Sequence, residues 1–139
     1  MPKNNLRKKL TRQEQRDLDV EISFLEGLVR RDPEYVEALQ ILGDDYTRRG
    51  KLEDGLGIDK KLSKLCPKDP LVFYNLSCSY SLAHQYELSL AALERSIILG
   101  YRDFKWMSQD PDLRNLRLSP YYKKIRAKLR LMRVGKVGR

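Results

Sequence analysis

The chain is predicted to be all-helical and built as a solenoid, on three observations. It repeats itself with a period of 34: with residues 36–69 set above 70–103, Leu42 meets Leu76, Tyr46 meets Tyr80, Glu53 meets Glu87, Leu56 meets Leu90 and Leu65 meets Leu99. Small residues coincide as well, Gly43 with Ser77 and Gly55 with Ser89. Each unit holds two runs in which apolar residues recur three and four apart, the spacing that places them on one helical face. Each run is closed by glycine, proline or a polar turn, so the helices are short and neighbours pack antiparallel. A two-helix unit of this length cannot bury its apolar face alone and stacks on its neighbours instead of closing one core.

The elements follow in order. Thr11-Arg12-Gln13-Glu14 is a capping box, in which the Thr11 hydroxyl takes a backbone N–H three residues on and Glu14 reaches back to the cap amide. Leu18, Ile22, Leu25, Leu28 and Val29 then recur at helical spacing until Asp32-Pro33, where the residue before proline leaves the helical region. This places a first helix over 12–31. Val36, Leu39, Leu42 and Tyr46 share the next stripe, which Arg49-Gly50 stops. Leu52, Leu56, Leu62 and Leu65 mark a helix ending before Pro67. Gly55 and Gly57 lie inside it at a cost of roughly 1 kcal/mol each relative to alanine, so it is expected to be the softest of the array. Phe73, Leu76, Tyr80 and Leu82, a turn at His84-Gln85, and Tyr86, Leu90, Leu93, Ile97 and Leu99 repeat the scheme up to Gly100.

Beyond Asp103 the register is lost. Breaks at Asp110-Pro111 and Ser119-Pro120 predict a short helical turn near 110–116, then a last helix with Ser119 as cap and Pro120 in its first position. That helix uses Tyr121, Tyr122, Ile125, Leu129 and Met132 and is expected to fray near Gly135. Trp106 is expected to plug the last groove.

The net charge of +9 is unevenly spread. Residues 1–12 carry five basic groups and 119–139 carry eight, with no acid in either, whereas 13–118 hold 15 basic and 19 acidic residues. The chain is thus a mildly acidic body between two basic ends. No stretch approaches the ~20 apolar residues of a membrane-spanning helix, and the N-terminus has no secretory apolar core, so no membrane insertion and a cytoplasmic placement are expected. Cys66 and Cys78 are 12 apart, outside the tight spacing of a zinc or redox pair, and are expected to be reduced thiols. No metal, cofactor or enzymatic activity is expected: His84 falls in a turn, and no glycine-rich phosphate loop, metal-ligand cluster or nucleophile with a local base is present.

Leu39, Leu42-Gly43, Tyr46, Gly50, Gly55 and Pro67 in one unit, and Phe73, Leu76-Ser77, Tyr80, Ser89 and Leu93 in the next, resemble the signature of tetratricopeptide repeats. Gly55, Asp59 and Tyr101 depart from it, standing in place of an alanine, an aromatic residue and a final proline. The resemblance implies a right-handed α-solenoid of antiparallel helix pairs: a basic tail over 1–11, a repeat domain over 12–120 and a basic helix and tail over 121–139. The domain divides into a half repeat (12–33), two repeats (36–69 and 70–103) and a cap (104–120).

The resemblance also implies a non-enzymatic interaction module or adaptor that binds a peptide or protein segment in its concave groove. Position by position the groove would present Glu37, Gln40, Asp44, Thr47 and Arg48, then Leu71, Tyr74, Cys78, Ser81 and Leu82. Half acidic and half apolar, it suits a basic and apolar partner. Of the family's carboxylate clamp only Asn75 matches, against an acidic C-terminal ligand. The alternative is a nucleic-acid-associated protein that uses Lys123, Lys124, Arg126, Lys128, Arg130 and Arg133 on phosphates. A third reading sets the basic tail into the acidic groove of its own or a neighbouring chain, so a monomer or weak self-association is expected.

Overall fold

The computed structural model describes the backbone over residues 8–137 and side chains as far as residue 132. Among these residues it is helical throughout, without a strand: α1 (Arg12–Arg31), α2 (Val36–Arg49), α3 (Leu52–Leu65), α4 (Pro70–Leu82), α5 (Tyr86–Leu99), α6 (Phe104–Met107), a single 3₁₀ turn (Pro111–Leu113), α7 (Arg114–Leu118) and α8 (Tyr122–Val137). From α1 to α5 each helix packs chiefly on the next, as in a helical-repeat stack.

The local signals act as their chemistry requires. Both halves of the Thr11–Glu14 capping box are formed, at 3.1 and 3.0 Å, so α1 begins at Arg12. Gly50 ends α2 at φ +87°, with its N–H on Thr47 O and the Lys51 N–H on Tyr46 O. One period later His84 closes α4 in the same way, at φ +59°, with bonds to Ser81 O and from Gln85 to Tyr80 O. These are Schellman terminations, which satisfy the last carbonyls of each first helix.

Side-chain contacts recur with the same period. Ile22 packs with Leu42 and Leu56 with Leu76. Glu26 accepts from the Tyr46 hydroxyl, while Lys60, one period on, lies over the Tyr80 ring. Period-related residues therefore do not pack on each other; each makes its predecessor's contact one repeat further along. The apolar interior is correspondingly a series of clusters, the largest joining α4, α5, the cap and α8 around Leu93, Met107, Leu113, Leu116 and Ile125.

The two glycines of α3 are not equivalent. A Cβ at Gly55 would lie 2.7 Å from Thr47 Oγ1, whose hydroxyl is held by Gly43 O, whereas a Cβ at Gly57 would meet nothing within 4 Å. Gly55 is thus what lets α3 approach α2, and only Gly57 carries the helix cost without a return. In the second repeat Ser77 and Ser89 stand at the places of Gly43 and Gly55, and each hydroxyl donates to the other's carbonyl at 2.7 Å.

The C-terminal region differs from expectation. A four-residue helix, α6, precedes the turn at Asp110 because the Asp103 carboxylate accepts the Trp106 N–H. Ser119 does not cap the last helix: its hydroxyl donates back to Leu116 O, and α8 starts at Tyr122 after a tight turn through Pro120. The helix then continues through Gly135 to Val137. Tyr101 is buried and stacks on Tyr74 with centroids 4.2 Å apart.

Replacing Gly57 by alanine is expected to raise unfolding stability by up to about 1 kcal/mol, and Gly55→Ala to lower it, because the added methyl must displace Thr47. Urea denaturation of the two variants checks this; equal shifts would contradict the inequality of the two sites.

Candidate functional site

The stack of α2 and α4 with the cap leaves a groove of about 230 Å³. α2 contributes Gln40, Asp44 and Thr47, α3 contributes Asp59, and α4 contributes Tyr74, Asn75, Cys78 and Ser79. Trp106, Asp110 and Asp112 close it from the cap. Four carboxylates thus converge beside one indole that is 46% exposed.

The carboxylates are built in differently. Asp44 is exposed on α2. Asp59 is buried and accepts the Ser79 hydroxyl; burial, reinforced by the charge of Asp44, pushes its carboxyl up to about 6 despite that hydrogen bond. Asp110 is the hub of the far wall. One of its oxygens accepts from the Tyr74 hydroxyl at 2.8 Å and from Cys78 Sγ at 3.6 Å, and the other caps the 3₁₀ turn through the Asp112 N–H at 3.0 Å. Burial, with the charges of Asp110 and Asp112 behind it, holds Cys78 as a neutral thiol, and burial raises the Tyr74 phenol likewise. Burial also pushes Tyr101 up to about 12.

Cys78, Asp110 and Asp112 bring their ligand atoms within 4.8 Å of one another, the spacing of a metal site. The chemistry of the set runs the other way. A thiolate ligand must be deprotonated, and here the Cys78 proton faces the carboxylate of Asp110 in a buried setting that favours the thiol. His84, in the turn after α4, exchanges a 2.7 Å hydrogen bond with the Tyr86 hydroxyl.

Of the residues expected in the groove, Gln40, Asp44, Thr47, Tyr74 and Cys78 line it. Glu37 and Leu71 are exposed at the starts of their helices, outside its lining. Leu82 is half-buried and also outside it. Arg48 turns instead into a cleft with Glu14, Asp17 and Glu21 of α1, 3.8 Å from Asp45. Ser81 is corrected: it is fully buried, and its hydroxyl accepts the Leu116 N–H at 3.1 Å. Its counterpart Thr47 faces the groove only because no cap covers the first repeat.

On α8, Lys128 is paired with Glu94 at 3.2 Å, and Arg126 lies over the Tyr122 ring and reaches Arg117 O. Lys123, Lys124 and Arg130 are exposed, and the side chain of Arg133 falls outside the described residues.

These features define a protein of helical-repeat architecture with a local groove lined by four carboxylates. No protein-family model matches the chain. An alignment over 97 positions, covering 68% of the chain, is 36% identical to a chloroplastic protein of Arabidopsis thaliana. The match spans 28% of that protein's length. None of the described helices is long and apolar enough to cross a membrane.

Because the Asp59 carboxyl is raised, the native state binds its proton more tightly than the unfolded chain does, and this group's contribution to stability is lost as pH rises from about 4 through about 6. Asp59→Asn keeps an oxygen for Ser79 and removes the buried charge. Expected is a gain on the order of 1–3 kcal/mol at pH 8 that vanishes near pH 4, read by denaturant titration at both pH values. A gain that persists at pH 4 would assign it to another cause.

Proposed function

We propose that the chain is a tetratricopeptide-type module that acts without catalysis, holding in its concave groove a protein segment with basic and apolar side chains. The observation that carries this reading is the convergence of Asp44, Asp59, Asp110 and Asp112 on one groove beside Trp106. Fixed carboxylates lower the energy of a lysine or arginine entering there, and an exposed indole offers an apolar and cation-attracting wall. An acidic ligand would meet repulsion from three elements at once. Two residues suited to catalysis are otherwise engaged: burial keeps the Cys78 thiol protonated, and His84 is turned to Tyr86.

The Arabidopsis relative is chloroplastic, so a chloroplast stands beside the cytoplasm as a proposed compartment. A second reading, phosphate binding by the basic end, is favoured by the exposed Lys123, Lys124 and Arg130 in a segment without acids. With Lys128 paired to Glu94 and Arg126 laid over Tyr122, two of its six named cations already have partners within the chain, and it is the weaker one.

Trp106 is the single tryptophan and reports on the groove directly. Titration with a peptide alternating arginine and leucine is expected to shift its emission, with affinity rising between pH 5 and 7.5 as Asp59 loses its proton. Asp44→Lys should weaken binding about tenfold, the loss of one charge contact. Equal affinity for a glutamate-leucine peptide, or indifference to Asp44→Lys, would overturn the reading.

A further inference from the structure

Acidic side chains of α1 reach across its junction with α2 and meet unlike partners there. Asp19 accepts from the Arg49 guanidinium at 2.8 and 3.4 Å, and Glu26 accepts from the Tyr46 hydroxyl. Glu21, between them in sequence, instead faces a second acid, since the side chain within its hydrogen-bonding reach is Asp45.

Asp45 is the more confined of the pair. It is 2% exposed, and its Oδ2 has no hydrogen-bond partner among the described residues. Arg48, one turn on along α2, stands 3.8 Å from the other oxygen, on a side chain that is itself 43% exposed. The remaining charges around Asp45 are mostly of its own sign. Asp44 adjoins it on α2, and Glu14 and Asp17 of α1 line a cleft with Glu21 and Arg48, Lys8 being paired to Glu14 at 3.6 Å. α3 meets α2 at Gly43 and Thr47, and the acid it brings there, Asp59, acts on Asp44.

Two carboxylates in such a position repel each other, whereas a carboxyl and a carboxylate bond. One proton on Asp45, donated to Glu21, removes the buried charge and joins the two helices through a charge-assisted hydrogen bond. Glu21 is exposed on the cleft, so the pair stands in contact with water. Burial, reinforced by Glu21 and Asp44 and opposed by Arg48, pushes the Asp45 carboxyl up to about 7. The closed junction thus holds a proton that an opened one, with an ordinary carboxyl, releases near pH 4. Stability from this source is complete below about 4 and is lost as pH rises through about 7.

We propose that a proton carried by Asp45 and donated to Glu21 latches α1 onto α2, and that its loss loosens α1 from the stack. Behind the latch Ile22 and Leu25 pack on Ala38, Leu42 and Tyr46, so each opening uncovers an apolar face of α2. The latch does not rest on the groove, whose lining includes neither Glu21 nor Asp45.

Hydrogen exchange of the full chain, corrected for the intrinsic pH dependence of amide exchange, reads the opening of α1. Between about pH 6 and about pH 8 its opening constant should rise about tenfold, the linkage value for one proton titrating near 7. At the higher pH the amides of α1 should exchange faster than the slowest of α5, because the opening is local. The rise should persist in Asp59→Asn, which removes the other raised carboxyl, and vanish in Glu21→Gln, whose amide donates to Asp45 at either pH. In carbon-13 spectra of the wild-type chain the Asp45 carboxyl should titrate near neutral pH, a reading that needs no variant. Opening of α1 that ignores pH, a rise kept in Glu21→Gln or lost in Asp59→Asn, or equal opening of α1 and α5 would each overturn the proposal. So would an Asp45 midpoint in the ordinary carboxylate range, below about 5.

Discussion

The structure depends on how closely the two helices of a repeat approach. At the crossing of α2 and α3 there is no room for a Cβ, and at the crossing of α4 and α5 two serine hydroxyls fill the same space while bonding each other's backbone. Glycine and serine answer one geometric demand in two ways. The serine pair adds hydrogen bonds that would otherwise be buried donors without partners, while the glycine pair lets Thr47 close over the crossing. Once that separation is set, Leu56 can reach Leu76 and Lys60 can lie over Tyr80, and the same relations carry the stack from one repeat to the next.

The groove follows from that geometry at an energetic cost. Asp59 is buried between α3 and α4, so a carboxylate occupies packing space. Ser79 compensates it in part, and the raised carboxyl measures what remains. Asp110 is better served, with donors from Tyr74, Cys78 and its own turn, and it thereby ties the cap to α4. Of the two, Asp59 is the one whose burial costs stability, since apolar replacement of a buried charge is often neutral or favourable.

The regular part of the fold was legible because each signal in it is local. The Thr11 capping box, the Gly50 stop and the proline breaks act within four residues, and the bounds of α1, α2, α3 and α5 follow them closely. The cap was legible only as the helical turn near 110–116: α6 rests on one carboxylate at Asp103, and the Ser119 hydroxyl can either accept a helix N–H or donate to Leu116 O, a choice that only the packed structure makes. The same limit applies to the groove. Repeat register places Asp44 and Cys78 on it, but it also places Ser81 there, because register carries no information on where the cap will lie. Asp110 and Asp112 reach the groove from a segment whose sequence reads only as a turn.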